Sequence, residues 1–334
     1  MATKKLLTSD KYLTEKKQDI IHLAEYLVND SFNEASVLAV NATGKRYSIS
    51  RAGMNVSDDS LLCTRGFVIR VTDGEKWAEH SCNSINPEDY SKISSSLKEL
   101  IKKRGKSTAC EKHSVAEEKD AAHYTEYEIH PEEMGDESIL AWIEKVRSKT
   151  LACDDKLMDC SVFCSYANTA KFFVKKTPDK LVQKEQSLLW MTGGISVMAS
   201  REDEIKDYYK GYSNLGGAEV LKEMENDCES IAKSVVALLD SCQIEPGEYE
   251  CICAPDVTGL IVHEAFGHGV EMDMFVKNRA LAEEYIDEYV ASPLVAMHDG
   301  ATAAKQTATF YFDDEGVDGQ DTIIIEKGVL KRGI

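Results

Sequence analysis

Two histidines bracket a glutamate in the run His263-Glu264-Ala265-Phe266-Gly267-His268. Neutral imidazoles hold divalent metals, and a neighbouring carboxylate can take a proton from water activated on such an ion. The residue types therefore point to metal-assisted hydrolysis. The spacing is less direct. In the common His-Glu-x-x-His arrangement the histidines lie one helical turn apart and share a face. Here they are five residues apart, which on an ideal helix leaves the side chains about 140° apart. A regular helix cannot aim both at one ion. The helix must distort or end between them, and Gly267 is where the backbone yields most easily, with Gly269 loosening the next step. Val262 and Phe266 imply that the cluster is buried, where its polar atoms need partners and a metal would provide them.

The elements that must position this run follow from periodicity. After the turn Glu245-Pro246-Gly247, a strand is expected over Tyr249–Ala254. A helix then opens at Pro255-Asp256 and carries Leu260-Ile261-Val262-His263-Glu264. Further on, an acidic helix near Leu281–Val290, strands at Thr307–Phe312 and Thr322–Glu326, and a Lys327-Gly328 turn are expected. Upstream, apolar residues at helical spacing predict helices over Ser9–Asp30, from Pro87 to Arg104, near Glu137–Leu151 and over Glu219–Leu239. Alternation with period two predicts strands at Ala35–Ala42, Arg46–Arg51, Val56–Thr64, Gly66–Thr72, Lys76–Cys82, Met158–Asn168, Ala170–Thr177 and Leu181–Ser200. Thr43-Gly44 and Asp73-Gly74 read as turns, and Gly193-Gly194 as a turn or bulge.

The fold class is α+β: an N-terminal helix and strand-meander region, then a strand-rich C-terminal domain carrying the His-Glu helix. The expected division is an α+β unit at 1–104, a polar linker at 105–124, a second α+β segment at 125–244 and a C-terminal domain at 245–334. That last domain reads as incomplete, because the chain stops at Ile334 just after a new strand begins.

Composition narrows the partners. Of 334 residues, 58 are acidic and 39 are Lys or Arg, a formal charge of −19. Such a surface repels phosphate backbones, so nucleic acid is excluded as an expected partner. No apolar run is long enough to span a bilayer and no signal peptide is evident, so neither a membrane nor export is expected. The ten cysteines show no C-x-x-C pair and no disulfide framework, and a cytoplasmic protein with reduced thiols is expected.

The stretch Leu260-Ile261-Val262-His263-Glu264-Ala265-Phe266-Gly267-His268-Gly269-Val270-Glu271-Met272-Asp273 resembles the signature helix of the TldD/PmbA family, in its metal-bearing branch. Asp313-Asp314-Glu315-Gly316 and the Ile323–Lys331 hairpin resemble the family's next segment. About 80 residues, Tyr249 to Lys331, carry these motifs, and the rest matches in outline only. The resemblance implies a zinc peptidase that degrades unfolded peptides inside a chamber enclosed by two subunits. Carried over, His263 and His268 are zinc ligands and Glu264 is the base that activates the zinc-bound water. The family's third ligand is a cysteine much further along, and this chain ends before a matching position. It also has Met272 where glycine commonly stands.

Within this chain, other donors lie near enough in sequence to be considered as the third ligand. Cys251 and Cys253, two apart on the expected strand, share a face. Glu271, Asp273 and His298 are alternatives. Buried strand thiols, surface carboxylates and a loop or core histidine are the plainer readings of the same residues. The runner-up to the peptidase is a metal-free assembly subunit of a TldD/PmbA-type complex. A small-molecule metallohydrolase and an acidic binding module are weaker alternatives.

Overall fold

The computed structural model describes residues 4–58, 64–104, 119–302 and 304–334. It divides into two units. The first comprises Met1–Ser241 with Gln306–Asp318, and the second comprises Cys242–Lys305 with Gly319–Ile334. The architecture is α+β. Residues 105–118 of the expected linker, and 59–63 of the expected Val56–Thr64 strand, lie outside the described residues.

The first unit is built on one sheet. A two-residue ribbon, β1 (Lys5–Leu6), leads into helix α1 (Lys11–Asp30). The sheet then takes β2 (Glu34–Ser50), β3 (Gly53–Asp58), β4 (Arg65–Thr72) and β5 (Trp77–Cys82). Helix α2 (Tyr90–Lys103) follows, then β6 (Ala121–Tyr124), β7 (Glu126–Tyr127), which pairs with β1, the short α3 (Pro131–Met134) and α4 (Asp136–Leu151). Long strands β8 (Leu157–Lys176), β9 (Leu181–Arg201) and β10 (Glu204–Leu215) complete the sheet before α5 (Val220–Leu238). The strand order is β10-β9-β8-β2-β4-β5, with β3 also on β2 and β6 parallel to β9.

Side-chain parity explains how the sheet is covered. Ala35, Val37, Ala39, Tyr47 and Ile49 of β2 point to one face, as do Cys160, Val162, Cys164, Phe172 and Val174 of β8. Helices α1 and α2 bury one end of that face, through Ile20, Leu23, Leu27, Ile93 and Leu97. Helices α4 and α5 bury the other, through Ile139, Ile143, Val146, Met224 and Ile231. The opposite face carries Leu38 and Phe173, which enclose Phe312 of the 306–318 segment.

Three expected breaks are absent. Strand β2 runs unbroken through Thr43-Gly44, and β8 through the expected gap at Thr169. Gly44 serves close packing: a Cβ there would lie 2.5 Å from the Tyr166 carbonyl oxygen on β8. Strand β9 likewise continues through Gly193-Gly194, where the missing side chain of Gly194 makes room for the Phe163 and Tyr209 rings.

The second unit is smaller. Its elements are α6 (Pro255–Ala265), a 3₁₀ turn at Gly267–Val270, α7 (Met272–Val276), and the strands β11 (Met297–Asp299), β12 (Thr322–Glu326) and β13 (Val329–Leu330). The strands form one sheet in the order β11-β12-β13. The core is small: Val270, Ile324, Ile325 and Leu330, with Phe266 and Met297 packed against it. Tyr249–Ala254 forms no strand and is exposed, the acidic segment after Leu281 is a single 3₁₀ turn ending at Tyr285, and Thr307–Phe312 forms no strand. Among the described residues no helix is long and apolar enough to cross a membrane.

Candidate metal centre

Helix α6 starts as its sequence dictates. Ala254 is extended, Pro255 occupies the first turn, where its missing N–H costs nothing, and Asp256 sits at the positive end of the dipole. The helix ends at Ala265. Phe266 leaves helical geometry at φ −132°, ψ −43°, and the chain tightens into the 3₁₀ turn that carries His268. The required distortion therefore falls on Phe266, one residue before the glycine expected to supply it. Phe266 packs on the small core, and this gives a reason for the break to sit there.

The break brings the two imidazoles together. The His263 and His268 rings lie 4.6 Å apart between centroids, at 68° to one another. The Nε2 of His268 is 3.8 Å from a Glu264 carboxylate oxygen. One ligand atom from each of His263, Glu264 and His268 lies within 4.8 Å of the others, and this is the one such trio found among the described residues. Two imidazoles are the donors zinc takes at about 2.0–2.1 Å, so small side-chain rotations would let both nitrogens share one ion. The donor set fits zinc to that extent.

Burial does not follow the sequence expectation. Helix α6 has no buried residue, and Leu260, Ile261 and Val262 are all exposed. The apolar run lacks a covering layer within this unit, because the small core reaches only Phe266 and Val270.

The other candidate donors are placed as follows. Glu271 accepts or shares a proton with His268 Nδ1 at 2.7 Å, and this contact raises the His268 pKa, more than burial lowers it. Asp273 pairs with Lys277 at 2.6 Å, one turn along α7. His298, on β11, faces Asp321 at 3.0 Å. Cys251 and Cys253 are exposed free thiols on irregular chain, and the Cys251 thiol points to the Tyr249 carbonyl at 3.6 Å. None of these five joins the His263, Glu264 and His268 group. The contact between His268 and Glu271 is legible in the sequence only as an i,i+3 spacing; there Glu271 reads as a candidate metal ligand and not as a hydrogen-bond partner of His268.

Residues 246–334, about a quarter of the chain, match the family described as "PmbA/TldA metallopeptidase C-terminal domain". The chain is 36% identical over 94 residues to "Metalloprotease MJ0996" of Methanocaldococcus jannaschii, a match covering 28% of this chain and 21% of that protein. It is 34% identical over 110 residues to "Zinc metalloprotease TldD homolog" of Saccharolobus solfataricus, covering 31% of this chain and 23% of the relative. The matched stretch is thus less than a quarter of either relative's length. In fold, the chain is similar to the crystal structure of TldE from Thermococcus kodakarensis, with TM-score 0.64 at 15% identity, covering 95% of this chain and 69% of that one.

Proposed function

We propose that this chain is a zinc-dependent peptidase subunit acting on unfolded peptides, inside a chamber formed with a second TldD/PmbA-type subunit. The observation that carries the reading is the convergence of His263, Glu264 and His268 at a helix break. The names of the relatives, a metalloprotease and a zinc metalloprotease TldD homolog, support the metal and the reaction class. The likeness to TldE supports a partner built on a related fold. A cytoplasmic setting fits the free state of the eight described cysteines.

In this reading His263 and His268 hold the ion. Zinc at such a site supplies Lewis acidity, polarising the scissile carbonyl and making water a better nucleophile near neutral pH. Glu264 takes the proton from the attacking water and delivers it to the departing amine as the peptide C–N bond breaks. The helix break at Phe266 keeps that carboxylate on the same side as both rings.

A second reading is a metal-free assembly subunit: with Glu264 serving as the base, the trio leaves two imidazoles as ligands, and all three residues are exposed. Metal analysis with a peptide assay separates the two. The peptidase reading expects close to one zinc per chain, and a Glu264→Gln variant that keeps zinc while hydrolysis falls about 10²-fold or more. A chain without zinc, or full hydrolysis by Glu264→Gln with zinc bound, defeats it.

A further inference from the structure

The carboxylate of Glu271 lies 2.7 Å from His268 Nδ1, while the ring's other nitrogen, Nε2, is the one turned toward Glu264. An imidazole that gives one N–H to a carboxylate is fixed in the tautomer whose free lone pair sits on the opposite nitrogen. With Nδ1 engaged, the lone pair is on Nε2.

What holds Glu271 matters equally, because a mobile carboxylate would orient nothing. The backbone on both sides of Glu271 is tied down. The Val270 carbonyl accepts from the Ile334 amide at 2.9 Å, and the Met272 amide donates to the Ile334 carbonyl at 2.6 Å. Val270 is fully buried against Ile324, Ile325 and Leu330. Gly333 makes this approach possible, since a Cβ there would come within 2.4 Å of the Val270 carbonyl oxygen. Glu271 is itself extended, at φ −64°, ψ 125°, between the 3₁₀ turn and α7.

Resting on the zinc reading given above, we propose that Glu271 is a positioning residue: anchored through Val270 and the strand-like pairing with Ile334, it locks His268 with Nε2 presented to the metal. Glu271 is not itself a ligand. The rigidity of the small core is thereby passed to one imidazole, through one carboxylate. This gives the exposed trio an ordered member without burying it. Among the described residues no carboxylate hydrogen-bonds His263 in this way, so His268 is the ligand whose geometry is fixed before metal arrives.

The test uses the full chain and zinc itself. Zinc affinity is measured by competition with a chromophoric chelator for wild type, Glu271→Ala and the isosteric Glu271→Gln, with circular dichroism confirming that each folds. The His268 tautomer is read separately, from ring ¹⁵N chemical shifts in metal-free protein under conditions where the ring is neutral. The proposal expects Glu271→Ala to lose about 10–100-fold in zinc affinity. Glu271→Gln, whose amide oxygen still accepts, should lose less. Wild type should show the proton on Nδ1, and Glu271→Ala should lose that preference. If wild type binds zinc and Glu271→Ala binds it equally well, the positioning role is wrong while the zinc reading stands. If the tautomer is the same in both, the role is also wrong. If wild type takes up no zinc, the zinc reading falls and this inference with it.

Discussion

The Lys184 ammonium is almost wholly buried, 2% exposed, and donates to the Gly316 carbonyl at 2.8 Å and to Asp318 at 2.5 Å. It thereby fastens a segment remote in sequence to the sheet face opposite the helices. Gln186, two residues along β9 on the same face, adds to this. Its amide donates to the Phe312 carbonyl and its oxygen accepts from the Tyr311 amide. Asp313-Asp314-Glu315-Gly316 caps the loop, with Asp313 accepting from the Glu315 and Val317 amides. The motif noticed in the sequence is therefore a docking loop of the first unit.

Replacing Lys184 by Met keeps much of the buried stem but leaves the Gly316 carbonyl unpaired. The variant should lose about 1–3 kcal/mol of stability, the cost of one unsatisfied buried group. Urea denaturation measures the loss, and faster amide exchange confined to residues 311–318 would locate it. An unchanged midpoint would show that the ammonium is not needed.

His123 stacks on Tyr311 at 4.4 Å. Burial holds its pKa below the ordinary 6.5, with Asp318 opposing the shift and Lys184 adding to it. The fold thus prefers the neutral ring. Stability from this site is present above pH 6.5 and declines as pH falls through the lowered pKa. Denaturation measured across that window should show a steeper acid loss in wild type than in His123→Phe. Equal slopes would refute the assignment.

A methyl group at Gly44 would press on the Tyr166 carbonyl of the neighbouring strand, 2.5 Å away. Gly44→Ala should cost about 1–3 kcal/mol through overpacking. A thermal or chemical melt that matches wild type would mean the strands move apart without penalty.

Burial pushes the Cys160 and Cys164 thiols up to about 12, and the thiolate is the reactive form. Cys242, Cys251 and Cys253 are exposed. Alkylation of native protein followed by peptide mass mapping should label these three within minutes. Cys160 and Cys164 should react only after unfolding. Early labelling of Cys164 would overturn the packing of α4 and α5 on the sheet.

Helices were readable wherever an apolar stripe met a packed face. Ile20, Leu23 and Leu27 gave α1, and Ile139, Ile143 and Val146 gave α4. Strand breaks were misread at Gly44 and at Gly193-Gly194. A glycine that permits close approach and one that permits a turn look identical until the neighbouring strand is known. Val262 reads as buried for a similar reason, and it is exposed. Hydrophobicity states what a segment prefers, and only the fold states what is available to cover it. Tyr249–Ala254 forms no strand, and among the described residues no strand pairs with it to take its backbone hydrogen bonds.

By itself the sequence determined that two imidazoles and a carboxylate fall within six residues, and that no straight helix could aim both rings at one ion. Spacing and helical pitch settle that without coordinates. Only the tertiary structure decided where the helix breaks, that Phe266 carries the break, and that Glu271 meets His268. Those depend on which side chains reach the small core of Val270, Ile324, Ile325 and Leu330, a matter of contacts between residues far apart in the chain.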